Sequence, residues 1–113
     1  VDDVWLIAIG PLTNVALAIR QAPDIVKRLK GISIMGGSNS FGNRTPAAEF
    51  NIYADPEAAD VVFSSGIKHL YMCGLNLTHQ FKLGKSEVAA MQKMKHNNVA
   101  SFYGELLEFF LRK

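Results

Sequence analysis

The sequence predicts an α/β fold, part of an open, mostly parallel, doubly wound sheet followed by C-terminal helices. Three observations point there. Short apolar runs alternate with segments whose apolar residues recur at helical spacing, the order of parallel strands joined by right-handed crossovers. A long and almost uncharged loop, residues 36–51, follows the second apolar run, and the loops after the carboxyl ends of strands are where such sheets hold ligands. The last third, 81–113, reads as two helices with no further alternation. On this reading 1–113 is a single fragment of one α/β domain, with 1–80 carrying the pocket loop and 81–113 a helical segment.

The elements follow in order. Val4 to Ile9 is a continuous apolar run, the form of a parallel strand covered on both faces. Gly10-Pro11 stops it, and Pro11 suits a first helical turn, where its missing N–H is not needed. The helix after it places Leu12, Val15, Ala16 and Ile19 on one stripe. Ala22-Pro23 ends that helix. A short turn then carries Ile25, Val26 and Leu29 inward, and Gly31 introduces a second strand, Ile32 to Met35. After the loop, Asp55 is an N-cap, Pro56 a first helical residue and Glu57 a complement to the helix dipole. Ala58, Val61, Val62 and Phe63 give this helix an apolar face, and Gly66 closes it. Lys68 to Cys73 reads as a third strand, followed by Gly74 and the segment from Leu75 to Gln80. Two helices, near 86–95 and 98–112, complete the chain. The second carries Val99, Phe102, Tyr103, Leu106, Leu107, Phe109, Phe110 and Leu111. So much apolar surface on one helix requires cover on several sides.

Composition narrows the class. The chain has 113 residues, 49% of them hydrophobic and 19% charged, as in ordinary soluble globular proteins. A net charge of +2, with scattered Lys and Arg, gives no nucleic-acid footprint. No run approaches the ~18 apolar residues of a membrane span. The single cysteine, Cys73, cannot form an internal disulfide, which fits a cytoplasmic, reducing compartment. The chain begins at Val1 on the threshold of a strand and stops at Lys113 just after a helix, which reads as a piece of a longer protein.

The loop carries the chemistry. Asn43 and Asn51 can both donate and accept hydrogen bonds, and an ionised Glu49 accepts strongly. That set suits a polyhydroxyl ligand such as a ribose, and Phe50 between Glu49 and Asn51 offers an apolar contact. Asn43 and Asn51 equally suit turn stabilisation. Gly36-Gly37 lacks the full spacing of a phosphate loop. His69, His79 and His96 have no partner nearby in sequence, although His79 follows a strand end. Asp2 and Asp3 read as a loop before the first strand, and Arg44 as a solvated charge.

Gly-Pro-Leu-Thr-Asn (10–14), Met-Gly-Gly (35–37), Gly-Asn-Arg-Thr-Pro-Ala-Ala-Glu-Phe-Asn (42–51) and Ala-Asp-Pro-Glu-Ala-Ala (54–59) occur in that order. Together they closely resemble the inosine/uridine-preferring nucleoside hydrolases, through most of the chain to about residue 80. Gly-Leu-Asn-Leu-Thr-His-Gln (74–80) fits as well, with Asn76 where the family leads one to expect Asp. The resemblance implies hydrolysis of the N-glycosidic bond of ribonucleosides with bound calcium. It makes Asn43, Glu49 and Asn51 ribose-binding residues and Met35 a pocket-lining one. It places Ile9 where a main-chain carbonyl is a calcium ligand, a role that tolerates any side chain.

Other family parts are missing from this sequence. Neither the Asp-rich motif, Asp-x-Asp-x-x-x-Asp-Asp, nor the later His-Asp pair occurs. The resemblance therefore assigns this chain no acid or base of its own, and most calcium ligands fall outside it. The expected partners are a ribonucleoside and further copies of the protein in a dimer or tetramer, through the final helix, with neither nucleic acid nor membrane. A non-catalytic nucleoside- or sugar-binding module, or a structural α/β domain, is the alternative.

Overall fold

The computed structural model describes residues 3–94 and 96–112; Val1, Asp2, Lys95 and Lys113 lie outside them. The chain forms two compact units, Val1–Gln80 and Phe81–Lys113.

The first unit is built on three parallel strands in the order β1-β2-β3: β1 Trp5–Ala8, β2 Gly31–Met35 and β3 Leu70–Cys73. Leu6 pairs with Ile32 and Ala8 with Ile34, while Ile32 pairs with Leu70 and Met35 with Cys73. Side chains alternate across a strand, so Ile32 and Ile34 point to one face, where both are fully buried. Helix α1 (Thr13–Gln21) covers that face with Ala16 and Ile19, joined by Leu12 just before it. Helix α4 (Pro56–Phe63) covers it with Ala58, Ala59 and Val62. A short α2 (Ile25–Arg28) lies between α1 and β2, and its Ile25 and Val26 pack against the same core.

The opposite face differs from the sequence reading. Trp5, Ser33 and Tyr71 share it, and Ile7 there is 70% exposed. The continuous apolar run of β1 is thus buried on one side only, because β1 is an edge strand here and the described helices of this unit that cover the sheet core stand on the other face. Trp5 stacks on Tyr71 at 5.6 Å across Gly31. A Cβ at Gly31 would come within 2.5 Å of the Trp5 ring, so the stack needs a residue with no side chain.

Three further details differ. β3 begins at Leu70 rather than Lys68, and Phe63 is 41% exposed rather than part of the inner face of α4. The tail of the loop is a helix, α3 (Phe50–Ala54), that the sequence reading left unstructured up to Asp55. Its N-cap is Glu49, and Glu is not among the residues that ordinarily signal a cap. Asp55 caps α4 as expected, accepting from the Ala58 N–H at 3.0 Å. Its other oxygen accepts from the Thr13 hydroxyl at 2.5 Å, tying the start of α1 to the start of α4. The Thr13 hydrogen bond, and then the Ala58 one, hold the Asp55 carboxyl below its usual range.

The second unit is a helical pair, α6 (Lys85–Gln92) and α7 (Asn98–Leu111). Asn97 caps α7 by accepting from the Val99 and Ala100 N–H groups, both at 3.1 Å. The two helices meet at Gly104, which is buried; a Cβ there would lie 2.9 Å from Gln92 Cγ. Gln92 donates to Glu108 at 2.7 Å, and Arg112 pairs with the other oxygen of Glu108 at 2.6 Å. Phe102, Tyr103 and Phe110 on α7 are exposed, Phe102 by 63%. Among the described residues no helix is long and apolar enough to cross a membrane.

Candidate functional site

Parallel strands deliver their carboxyl ends to one edge of the sheet. Here that edge carries Ile9 beyond β1, Met35 at the end of β2 and Cys73 at the end of β3. The long loop starts there, and its first turns are held by main chain. The Gly36 N–H donates to the Cys73 carbonyl at 3.2 Å, and the Gly37 carbonyl accepts from Leu75 N–H at 2.9 Å. Gly37 has φ +73°, a left-handed conformation that glycine adopts without strain. Gly74 faces it so closely that a Cβ would sit 2.8 Å from the Gly37 carbonyl oxygen. Leu75 opens a short helix, α5 (Leu75–Thr78).

The far side of the loop closes on itself. Gly42 N–H donates to the Pro46 carbonyl at 2.9 Å, and the Asn43 and Arg44 N–H groups donate to the Ala48 carbonyl at 3.1 and 3.0 Å. The Thr45 hydroxyl accepts from Ala47 and Ala48 N–H. Gly42 is required here, because a Cβ would fall 2.1 Å from the Thr45 carbonyl oxygen.

Within this frame the structure brings together four of the residues singled out from sequence. Glu49 is 3% exposed, and its Oε2 accepts three backbone N–H groups: Gly37 at 2.9 Å, Asn51 at 2.9 Å and Ile52 at 3.2 Å. One carboxylate oxygen therefore caps α3 and clasps the start of the loop to its end. Asn51, 7% exposed, donates through Nδ2 to the Met35 carbonyl at 3.0 Å and to its sulfur at 3.3 Å. Asn43 accepts from Phe50 N–H at 2.8 Å. The turn-stabilising reading of these residues is thus satisfied by one half of each polar group. The other halves, Glu49 Oε1, Asn51 Oδ1 and Asn43 Nδ2, make no hydrogen bond with the described residues. No buried side-chain polar atom is left without a partner among those residues, so these atoms open outward.

Phe50 lies exposed on the first turn of α3, and Ile9 is exposed at the end of β1. His79 sits against Phe41 at 5.3 Å, and His69 against Trp5 at 6.3 Å, each a ring contact. Arg44 and His96 are exposed, and Asp3 pairs with Lys30 at 3.7 Å. Two cavities of this unit, of about 550 and 260 Å³, are lined by other residues, Lys27, Lys30, Lys68 and His69 in the first and Thr13, Arg20 and Asp55 in the second.

Calcium wants about six to eight oxygen ligands, many of them carboxylates. Among the described residues no three His, Cys, Asp or Glu side chains cluster to hold a metal ion. The described residues do not, by themselves, fit such an ion, and Ile9 offers a single carbonyl.

Sequence reasoning missed Ser38 and Ser40 and treated Asn76 only as a departure from a motif. Asn76 accepts from the Ser38 hydroxyl at 2.9 Å and the Asn39 N–H at 3.0 Å, and donates to Ser40 Oγ at 2.7 Å. The polar cluster at 38–40 was the available signal, but its partner lies more than thirty residues away.

A family model described as inosine-uridine preferring nucleoside hydrolase matches residues 1–113. A pyrimidine-specific ribonucleoside hydrolase RihA of Photobacterium profundum is 46% identical over 97% of this chain. The RihA of Enterobacter sp. (strain 638) is likewise 46% identical over 97% of it. The chain spans about a third of these relatives, 35% and 34% of their lengths. Among solved structures, a purine-preferring ribonucleoside hydrolase from Gardnerella vaginalis superposes with a TM-score of 0.88 at 32% identity, over 98% of this chain and 35% of that one. An inosine-uridine preferring nucleoside hydrolase from Bacillus anthracis gives 0.81 at 29% identity, over 92% of this chain and 36% of that one.

Proposed function

The chain belongs to the inosine-uridine preferring nucleoside hydrolase family, and from that premise we propose that it supplies the ribose-binding half of a ribonucleoside hydrolase. The full-length protein cleaves the N-glycosidic bond to free base and ribose, and this segment alone is inactive. The observation that carries the reading is the unspent half of each polar group at Asn43, Glu49 and Asn51. Backbone contacts fix all three side chains before any ligand arrives, so little ordering is left to binding. Asn51 Oδ1 and Glu49 Oε1 accept from ribose hydroxyls, and Asn43 Nδ2 donates to one. Met35 and Phe50 line the pocket. Cleavage of such a bond passes through an oxocarbenium-like sugar. The fixed carboxylate and the fixed acceptors of the hydroxyl protons stabilise that cationic state more than the ground state, whereas a donor such as Asn43 Nδ2 serves both alike.

In this reading the attacking water and the leaving base are handled by groups outside the chain, and the Ile9 carbonyl would be one ligand of a calcium ion whose other ligands come from elsewhere. The relatives differ in base, pyrimidine-specific by name in one case and purine-preferring in another, so both classes are tested. Exposed Phe102, Tyr103 and Phe110 on α7 support self-association as a dimer or tetramer. The single cysteine supports a reducing, cytoplasmic location.

The test is ribose release from inosine and uridine by this chain and by the full-length protein, each with calcium and with chelator. Calcium-dependent release by the full-length protein alone is the expected result. Release by neither, with nucleoside binding retained, would replace the enzyme with a binding module.

A further inference from the structure

Asn76 stands on α5, behind β3, and its side chain meets three consecutive residues of the pocket loop. Its Oδ1 accepts from the Ser38 hydroxyl and the Asn39 N–H, and its Nδ2 donates to Ser40 Oγ. Ser38 Oγ in turn accepts from the Ser40 and Phe41 N–H groups at 3.4 and 3.3 Å. Gln80 donates to the Asn76 carbonyl at 2.7 Å, fixing the end of α5. Gly37 on one side is pinned by Glu49 and Leu75, and Gly42 on the other by the Pro46 carbonyl. Between these two points, residues 38–41 make no other hydrogen bond with the described residues. Apart from the ring contact of Phe41 with His79, the course of the loop towards Asn43 thus hangs on one amide.

We propose that Asn76 is a positioning residue for the ribose pocket, acting through Ser38, Asn39 and Ser40 to set where Asn43 stands. The proposal rests on the pocket reading above. The same network would also accommodate an aspartate at this position. A carboxylate keeps both acceptor contacts, and the Ser40 hydroxyl, which donates as well as accepts, turns its proton towards the second oxygen. Alanine keeps neither, and residues 38–41 are left with their own turn and the ring contact of Phe41 with His79.

The experiment compares Asn76→Ala and Asn76→Asp in the full-length protein by ribose release from inosine and uridine and by amide hydrogen exchange. A loosened Asn43 weakens ground state and transition state alike, so Asn76→Ala raises KM about tenfold with kcat changed less than about threefold. Exchange at Asn39, Ser40 and Phe41 accelerates, while Ile32 to Ile34 keep wild-type protection. Asn76→Asp restores both readouts. Wild-type KM and wild-type loop exchange in Asn76→Ala overturn the proposal, as does an Asp variant impaired like the Ala one. A wild-type protein that releases no ribose overturns the pocket reading instead, and loop exchange in the two variants then decides whether Asn76 orders residues 38–41.

Discussion

Replacing Glu49 by Ala removes the one acceptor shared by three backbone N–H groups in a nearly closed site. Leaving such donors unpaired costs about 1–3 kcal/mol each when buried, so a loss of about 3 kcal/mol is expected, read as a lower denaturation midpoint. Turnover of the Ala variant would then confuse folding with chemistry. Glu49→Gln separates them, because its amide oxygen still faces the N–H groups while an NH2 replaces the outward oxygen. We expect it to fold and to lose ribose release about a hundredfold or more in the full-length protein. Wild-type turnover in that variant would remove Glu49 from the pocket. The residue types at 43, 49 and 51 were legible as a hydrogen-bonding set. That one oxygen of Glu49 would be consumed by main chain was not, because the Gly37 donor meets it only through the return of the loop.

At the scale of elements, two seams hold the first unit around its loop. One is the contact of Gly74 with the Gly37 carbonyl. Gly74→Ala forces a Cβ to 2.8 Å from that oxygen, and a backbone shift of this kind costs about 1–3 kcal/mol in a denaturant titration. An unchanged midpoint would mean that α5 can slide away freely. The other seam is Thr13 to Asp55, between α1 and α4. Asp55 titrates below its ordinary value near 3.8 in the folded chain, so its contribution is fully present above that pH and is lost as pH falls through the folded value. The stability difference between wild type and Asp55→Asn should therefore hold from neutral pH down to about 3.8 and shrink below it. A difference that grows on acidification would contradict the assignment. Asp55 was legible as an N-cap from Asp-Pro-Glu; its bond to Thr13 was not, because the two lie 42 residues apart.

At the scale of the whole molecule, apolar surface is left open in both units. Ile7, Trp5 and Tyr71 lie on the uncovered face of the sheet, and Phe102 and Phe110 on α7. Patches of this kind mark surfaces that associate. The isolated 113-residue chain is expected to bind an apolar dye and to self-associate with rising concentration, measured by fluorescence and sedimentation. A dye-silent monomer at high concentration would show that these faces are better solvated than their composition implies.

The sequence by itself determined the alternation of strands and helices, the parallel sense of the sheet and the hydrogen-bonding residue types at 43, 49 and 51. These are local properties: apolar period, proline and glycine punctuation, and the donor and acceptor inventory of each side chain. Tertiary structure alone decided which face of β1 is buried, that Glu49 meets the Gly37 N–H, and that Asn76 and Ser38 meet. Each of those depends on parts distant in the chain arriving at one edge of a sheet, and no local pattern encodes a hydrogen bond made across such a distance.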